Sequence, residues 1–259
     1  MTHEFDGEKY RLASAHQKEW GARLIGELRL AGTERILDLG CGDGALTAQL
    51  AALVPQGAVT GIDASAGMIA AARSHQAANL SFKVADINDG QSFGSGFDVI
   101  FSNAALHWVA DHQTLLGNAL RALNGGGAVA FSFAGEGNCA NFIRVVKAAM
   151  QLPQFARFFS GFAWPWYMPD LAAYRQLVRG FPFAESSVRG ENADRYFTDQ
   201  ETMIKWIDQP SLVPFMQCLP GEFKETFRQC VIARMIEASL QPDGRCFETF
   251  RRINVIARK

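Results

Sequence analysis

The residues best suited to chemistry in this chain are two aspartates, Asp38 and Asp43, set among alternating glycines. They lie in residues 36–44, whose sequence is ILDLGCGDG. A short apolar run precedes the glycines, and leucines recur at helical spacing from Ala45 onward, so the pattern predicts a strand, a tight turn and a helix. Glycines let a ligand approach the backbone closely, and the first turn of a helix offers unpaired N–H groups. The stretch is therefore a candidate ligand site.

Two classes of ligand use this geometry, and the carboxylates distinguish them. Gly40, Gly42 and Ala45 fit the permissive dinucleotide pattern G-x-G-x-x-G/A. A pyrophosphate beside Asp38 and Asp43 would be repelled by their charges. S-adenosylmethionine (SAM) instead presents an ammonium and a sulfonium, which carboxylates attract, and a carboxylate that suits backbone N–H groups. The charges favour SAM over NAD, and over a glycine turn that binds no ligand.

Further acidic residues follow the next two predicted strands. Asp63 comes 21 residues after Gly42, at the end of a strand, where an acid can accept hydrogen bonds from a ribose diol. The alternative is that Asp63 caps the following helix, although Ser65 is also a good capping residue. Asp86 ends the third predicted strand and is followed by apolar Ile87, a combination that can accept a hydrogen bond from an adenine amino group.

Strands and helices alternate through the first half of the chain. Apolar runs predict strands at residues 35–39, 58–63, 81–85, 97–102 and 128–133. Later extended patterns predict two more strands, at residues 187–197 and 247–257. The fold class is therefore α/β, with a doubly wound, mostly parallel seven-stranded sheet. In such a sheet the ligand crevice lies at the carboxyl ends of the first and fourth strands, where the strand order reverses.

We expect one domain over residues 1–259, because no linker, repeat or low-complexity segment interrupts the chain. Residues 1–33 are expected to form a helical lid, and residues 34–133 the ligand-binding core. Helical patterns at residues 134–182 and 198–245 predict insertions that cover the active site.

Composition and charge argue against several other functions. The chain has 25 basic and 26 acidic side chains and a net charge of −1, so nothing indicates binding to nucleic acid or to an anionic membrane. Residues 1–9 lack an apolar signal-peptide core, and no run of 18 apolar residues predicts a membrane span. The five cysteines form no C-x-x-C pair, so we expect neither a disulfide framework nor a metal. These features favour a cytoplasmic protein, and leave monomer and dimer open.

Several motifs together resemble those of the class I SAM-dependent methyltransferases. Residues 38–44 are similar to the family's D-x-G-x-G-x-G loop, Asp63 to its ribose-binding acid, and Asp86 with Ile87 to its adenine pocket. Residues 103–108 are similar to the segment beside the methionine part of SAM. The resemblance implies a Rossmann-like methyltransferase fold, with SAM as cofactor and S-adenosylhomocysteine as product. The cofactor-binding residues that it implies are Tyr10, Gln17, Asp38, Gly40, Cys41, Gly42, Gly44, Asp63, Ala64, Met68, Asp86, Ile87, Asn103 and Ala104.

A narrower resemblance extends over nearly the whole chain. Residues 102–109, SNAALHWV, resemble a segment of the trans-aconitate methyltransferase-like group, as do the helix near Tyr10, the turn at 243–245 and the last strand with Arg252. Those enzymes esterify small carboxylic acids, so the resemblance implies O-methylation of such an acid. Cyclopropane fatty-acid synthases typically carry Glu-His in this segment, whereas Leu106 precedes the histidine here, which argues against lipid cyclopropanation.

The acceptor side of the expected site leaves several roles open. His107 is the best-placed candidate base, and the alternative is that it packs against SAM or bonds to the backbone. A carboxylate nucleophile is ionised at pH 7 and needs no base. Arg252 could pair with a substrate carboxylate, but a surface role on an edge strand fits its sequence position better. The residues expected to line the substrate pocket are His107, Trp108, Trp164, Trp166 and Tyr167, although the last three could equally form the core of an insertion.

The sequence favours methyl transfer to a small-molecule acceptor, most simply to a carboxylic acid. The alternative within the same class is N- or O-methylation of an amine or hydroxyl metabolite, with His107 as the base. Two alternatives from other classes use the same glycine turn, namely a non-catalytic SAM-binding regulator and an NAD-dependent oxidoreductase.

Overall fold

The computed structural model of the chain describes residues 15–89 and 93–259. Tyr10, which the resemblance assigned to cofactor binding, lies outside the described residues. The chain divides into two compact units, which are described separately. The first unit contains the described residues up to Glu136, together with Trp166–Glu191 and Arg252–Lys259, and the second contains Gly137–Pro165 and Asn192–Arg251.

The described residues contain both helices and strands. The strands are β1 (Arg35–Leu39), β2 (Ala58–Asp63), β3 (Leu80–Val84), β4 (Phe97–Asn103), β5 (Leu123–Ala134), β6 (Glu185–Asn192), β7 (Arg195–Phe197), β8 (Cys246–Glu248) and β9 (Arg251–Arg258). The α-helices are α1 (Ala15–Gly26), α2 (Ala45–Leu53), α3 (Ala66–Ala72), α4 (His112–Ala122), α5 (Ala140–Met150), α6 (Leu171–Arg179), α7 (Gln200–Trp206), α8 (Val213–Met216) and α9 (Gly221–Ser239). Shorter helical turns lie at Leu106–Trp108, Ala156–Phe159 and Ile207–Ser211.

One seven-stranded sheet has the order β3-β2-β1-β4-β5-β9-β6. Strands β1 to β5 pair in parallel, and β9 runs antiparallel to β5. This confirms the predicted doubly wound, mostly parallel sheet. Strand β1 lies between β2 and β4, so the strand order reverses beside it, and ligands bind at such a point outside the carboxyl ends of the strands.

Apolar side chains cover both faces of this sheet. On one face Ile36 packs in a cluster with Leu24 of α1 and Leu50 of α2. On the other face Leu37 belongs to a cluster that includes Tyr174 of α6. Because side chains alternate along a strand, a strand that is buried on both faces reads as a continuous apolar run. This burial explains why the sequence of β1 predicts a strand. It also anchors the residues that precede the glycine turn.

The two strands predicted late in the chain are wrong in their extent. Residues 187–197 form β6 and β7, which belong to different sheets, and residues 247–257 likewise divide into β8 and β9. Strands β7 and β8 pair with each other in a separate two-stranded sheet. At the breaks between β6 and β7 and between β8 and β9, Asp194 accepts a hydrogen bond from the N–H of Phe250, and the N–H of Ala193 donates to the carbonyl oxygen of Phe250. These bonds turn the chain, and a continuous extended pattern in the sequence does not reveal such a change of sheet.

Aromatic side chains form much of the interior of the second unit. The ring of Phe142 in α5 lies 5.7 Å from that of Trp206 and 6.2 Å from that of Phe215. The carboxylate of Glu248 is buried, and it accepts hydrogen bonds from the N–H of Asn141 and of the next residue. A carboxylate at a helix N-terminus satisfies donors that have no partner within the helix, so Glu248 fastens β8 to α5.

None of the helices in the described parts of the chain combines the length and the apolar character that a membrane span requires. In those parts no group of three or more histidine, cysteine, aspartate or glutamate side chains could hold a metal ion. None of the five cysteines, all of which lie in the described residues, forms a disulfide bond.

Candidate active site

The glycine turn after β1 has a backbone that only glycine adopts easily. Gly40, Gly42 and Gly44 have φ angles of +72°, +54° and +78°, in the region where a side chain is strained. Gly40 also lies against the segment after β4, because a Cβ there would be 2.2 Å from the Cβ of Ala105. The turn is followed by the N-terminus of α2 at Ala45, as the sequence predicts. It therefore forms a cradle that a side chain at Gly40 would disrupt.

Asp38 is a buried carboxyl group at the end of β1. It is 2% exposed and accepts a hydrogen bond of 2.7 Å from the Oγ1 of Thr47. The pKa of Asp38 is raised to about 7, because burial and, to a smaller extent, the charge of Asp63 raise it by more than the hydrogen bond from Thr47 lowers it. Asp38 is thus poised between its neutral and ionised forms near neutral pH, and a cation beside it would favour the ionised form.

Asp43 connects the glycine turn to α1. Its Oδ2 lies 2.6 Å from the Nζ of Lys18, with the Asp43 side chain mostly buried and the Lys18 side chain about one-third exposed. Asp43 was a candidate ligand-binding residue from the sequence, whereas Lys18 was not. A single lysine on a leading helix gives no signal in the sequence that distinguishes it from a solvated surface charge.

Asp63 lies at the end of β2, and its carboxylate is oriented by the backbone. One oxygen accepts from the N–H of Gly42 at 3.0 Å, and the other from the N–H of Ser65 at 2.9 Å. The hydroxyl of Ser65 accepts from the N–H of Met68, so Ser65 caps α3. The alternative that Asp63 is the helix cap is therefore wrong. Ala64 follows Asp63 directly, and Met68 is buried in the first turn of α3.

Asp86 and Ile87 follow β3, and they differ in environment. Asp86 is partly exposed and accepts hydrogen bonds from the backbone and side-chain N–H groups of Asn88 at 2.9 and 2.8 Å. Ile87 is buried, and its Cδ1 lies 3.6 Å from where a Cβ would stand on Gly40. The apolar side chain therefore lies beside the glycine turn, and the carboxylate is held in the loop by Asn88.

The segment after β4 lies against α1. The side-chain Nδ2 of Asn103 donates to the carbonyl oxygen of Gln17 at 2.8 Å, and its Oδ1 accepts from Arg252 at 3.2 Å. Ala104 has a φ of +57°, and its N–H donates to the carbonyl oxygen of Ser132 at 2.7 Å. A positive φ at a residue other than glycine is costly, and it persists where the surroundings enforce it, often at functional sites.

Arg252 does not have the edge-strand surface role that its sequence position favoured. It is 3% exposed, and its strand β9 lies between β5 and β6. Its Nε and Nη2 donate to the Oγ of Ser132 at 3.0 and 2.8 Å, and its Cζ lies 4.2 Å from the ring centroid of Trp20. Consecutive arginines near a chain end are usually solvated, so only the strand order reveals this burial.

A cleft opens between α1, the glycine turn and the ends of β1 and β4. The residues that line it are Gln17, Lys18, Asp38, Gly40, Cys41, Gly42, Asp43, Leu46, Phe101 and Asn103. Gln17 is 8% exposed, and its Oε1 is buried without a hydrogen-bond partner among the described residues. A buried acceptor of this kind needs a donor, and the ammonium of SAM is one. With acidic Asp38 and a glycine cradle in the same cleft, the residues present fit SAM.

His107 lies in the helical turn after β4. Its Nδ1 is buried and has no hydrogen-bond partner within the described ranges. Burial, together with the charges of Arg252 and His112, lowers the pKa of His107 to about 3. The imidazole is therefore neutral at pH 7 and is a weak proton acceptor.

Aromatic residues predicted for the substrate pocket are divided between the two units. In the first unit the ring of Trp108 lies 5.6 Å from that of Trp166 and 5.6 Å from that of His107, and the N–H of Tyr167 donates to the carbonyl oxygen of His107 at 2.8 Å. Trp164 belongs to the second unit, where it packs in the aromatic interior. The structure thus brings four of the five predicted residues together in one unit.

Comparison with known proteins relates this chain to methyltransferases. Residues 31–154 match a family model described as a methyltransferase domain. The trans-aconitate 2-methyltransferase of Deinococcus radiodurans is 32% identical over 228 residues, which are 86% of each chain. That of Delftia acidovorans is 29% identical over 249 residues, which are 92% of each chain.

Solved structures share the fold at lower identity. The YcgJ protein of Bacillus subtilis has a TM-score of 0.62 at 16% identity, over 93% of this chain and 98% of that one. Phosphoethanolamine N-methyltransferase 2 of Haemonchus contortus, solved with SAM, has a TM-score of 0.59 at 19% identity, over 98% of this chain and 56% of that one. Together with the glycine turn and its acidic residues, these findings show that the chain belongs to the class I SAM-dependent methyltransferases, in the group of the trans-aconitate 2-methyltransferases.

Proposed function

We propose that this methyltransferase esterifies a small carboxylic acid. The observation that carries the proposal is the burial of His107, whose Nδ1 has no hydrogen-bond partner among the described residues. Burial lowers the pKa of His107, which makes it a poor base where a hydroxyl or ammonium acceptor would need one. A carboxylate is ionised from about pH 5 upward and attacks without losing a proton. The similarity to trans-aconitate 2-methyltransferases supports the same class of acceptor.

The proposed cofactor contacts follow from the chemistry of the cleft. Asp38 and the Oε1 of Gln17 accept from the ammonium of SAM, and backbone N–H groups of the glycine turn donate to its carboxylate. Asp63 accepts from the ribose hydroxyls. Asp86 and Ile87 hold the adenine, and the other predicted cofactor residues in the described part of the chain complete the site.

SAM supplies an electrophilic methyl group on a positively charged sulfur. The carboxylate oxygen of the acceptor donates the electron pair for the new O–CH₃ bond, and the electrons of the breaking S–CH₃ bond stay on sulfur. The chain must therefore align three atoms and exclude water, and such positioning can lower a barrier by roughly 7–11 kcal/mol. We assign the acceptor side to His107, Trp108, Trp166 and Tyr167, with the buried Nδ1 of His107 as a hydrogen-bond partner for the acceptor. Trp164 was predicted for the same pocket, and its role there remains a prediction.

Replacing His107 by glutamine tests whether the reaction needs His107 as a general base. Glutamine keeps a hydrogen-bonding side chain of similar reach but does not titrate. We expect the variant to retain activity within about tenfold, because general-base catalysis is typically worth roughly 10²–10⁴ in rate and none is lost here. In both proteins kcat should stay flat between about pH 6 and 8, where a histidine with an ordinary pKa would titrate.

The measurement is the rate of S-adenosylhomocysteine release across this pH range, with trans-aconitate and other small mono-, di- and tricarboxylic acids as acceptors. An amine and a hydroxyl compound of similar size serve as comparison acceptors. A rate loss of roughly 10²–10⁴ in the variant, with loss of a pH dependence near 6.5, would make His107 a base and favour an amine or hydroxyl acceptor.

A further inference from the structure

Arg252 lies where four elements of the first unit meet. It stands opposite Ala134, at the carboxyl end of β5, in the register of β5 with β9. Its guanidinium bonds to Ser132 of β5 and to Asn103 of β4, and it stacks on the ring of Trp20 in α1. A single side chain thus connects β9, β5, β4 and the leading helix.

The bond to Arg252 determines the orientation of the Asn103 amide. A guanidinium only donates hydrogen bonds, so it must face the Oδ1 of Asn103, and the Nδ2 then faces the carbonyl oxygen of Gln17. With the amide reversed, two donors would face each other at one end and two acceptors at the other. Arg252 therefore controls the hydrogen bond that joins β4 to α1.

A second chain of contacts leads from Arg252 back to the same helix. The Oγ of Ser132, which accepts from Arg252, donates to Asn254 at 2.6 Å. Asn254 donates to Glu191 at 2.9 Å, and Glu191 forms an ion pair of 3.0 Å with Arg23 of α1. Helix α1 is thus attached to the sheet at two places through the same arginine.

Close packing at Gly21 brings α1 onto the cleft. A Cβ on Gly21 would lie 2.2 Å from the Cδ1 of Leu46 and 3.1 Å from the Nδ2 of Asn103, and both of these residues line the cleft. At Gly26, in the same helix, nothing lies within 4 Å of an added Cβ. At Gly21 the helix therefore packs closely against residues that line the cleft, whereas at Gly26 there is space for a side chain.

We propose that Arg252 is a positioning residue for SAM binding, which seats α1 through Asn103 and Trp20 so that Gln17 and Lys18 face the cofactor cleft. The inference rests on the proposed function only in placing SAM in this cleft. It adds a role to a residue that does not itself line the cleft but bonds to Asn103, which does.

Replacing Arg252 by methionine removes the guanidinium while keeping an apolar chain that can fill the space. We expect the Kd for SAM to rise about tenfold, the effect of losing one charge-assisted hydrogen bond. The unfolding midpoint of the ligand-free protein should fall by only a few degrees, because the desolvation cost removed with the buried charge offsets part of the cost of leaving the acceptors of Asn103 and Ser132 without this donor. Arg252→Lys keeps the charge but reaches fewer acceptors, so it should recover part of the affinity.

Calorimetric titration with SAM and thermal unfolding are the two measurements. Arg258→Met is the matched control, because Arg258 is an exposed arginine on the same strand. The Kd of this variant for SAM should equal that of the wild type. The double variant of Arg252→Met with Asn103→Ala should weaken SAM binding by less than the two single effects combined, since the two residues share one contact.

Gly21→Ala and Gly26→Ala test whether the position of α1 against the cleft determines SAM affinity, and they leave Arg252 unchanged. They remain informative if Arg252→Met does not fold. Gly21→Ala should raise the Kd for SAM and Gly26→Ala should not. Wild-type affinity in both Arg252→Met and Gly21→Ala, or additive effects in the double variant, would overturn the positioning role. A wild-type protein that binds no SAM would contradict the placement of the cofactor as well.

Discussion

Replacing Gly40 by alanine is expected to abolish SAM binding. The new Cβ would lie 2.2 Å from the Cβ of Ala105, at a residue whose φ of +72° already disfavours any side chain. The turn and Ala105 would have to move apart, and the cleft is lined by the turn and by Asn103, two residues before Ala105 at the end of β4. Because backbone N–H groups of the turn are proposed to hold the carboxylate of SAM, even a small displacement removes several contacts at once.

Calorimetry with SAM measures the effect, and thermal unfolding shows whether the variant folds. Gly125→Ala is the matched control, because an added Cβ there meets nothing within 4 Å and its φ is not in the positive region. The control should bind as the wild type does. A folded Gly40→Ala protein with wild-type affinity would show that the turn does not cradle the ligand.

Replacing Asp38 by asparagine is expected to weaken SAM binding roughly 10–100-fold, because the proposed ammonium contact loses its charge. The amide still accepts a hydrogen bond from Thr47, so the fold should be kept. The folded pKa of about 7 lies above the ordinary value, so the folded protein binds the proton more tightly than the unfolded chain does. The free energy of unfolding of the wild type should therefore decrease as Asp38 ionises between about pH 4 and 7, and this decrease should be absent in Asp38→Asn.

The same pKa predicts how SAM affinity depends on pH. Below about pH 7 the carboxyl of Asp38 carries a proton, which must leave before the group can pair with an ammonium. The affinity of the wild type should therefore rise from about pH 5.5 to 7, a range in which an α-amino group with a reference pKa near 8 stays charged. The SAM affinity of Asp38→Asn should be nearly constant over the same pH range.

Thr47→Val provides a matched control for the pH effect. It removes the hydrogen bond that lowers the pKa of Asp38, so the rise in affinity should move to higher pH. Equal pH profiles for the wild type and Asp38→Asn would exclude Asp38 as the group that pairs with the ammonium.

The parts of the fold and site that the sequence predicted are those with local signals. The buried strand β1, the glycine turn and Asp38 depend on neighbours a few residues away, and Asp63 was identified from its spacing of 21 residues after Gly42 and its place at the end of the next strand. A strand buried on both faces reads as an apolar run, and a backbone with positive φ requires glycine. These constraints act on short stretches, so they are visible without the rest of the chain.

The parts that the sequence did not predict depend on distant contacts. Arg252 bonds to Asn103 across 149 residues, and Lys18 pairs with Asp43 across 25. Neither basic residue differs in its sequence neighbourhood from a solvated one. Trp164 lies in a segment that resembles an aromatic pocket wall, and its packing in the second unit follows from helices far along the chain.

The product of the reaction tests the central proposal most directly. The purified protein is incubated with SAM labelled in the methyl group and the panel of small carboxylic acids, and products are followed by mass spectrometry before and after mild base. The proposal predicts equal amounts of S-adenosylhomocysteine and a labelled methyl ester that mild base hydrolyses. A labelled product that survives base, formed from the amine or hydroxyl comparison compound while the acids stay unmodified, would contradict it.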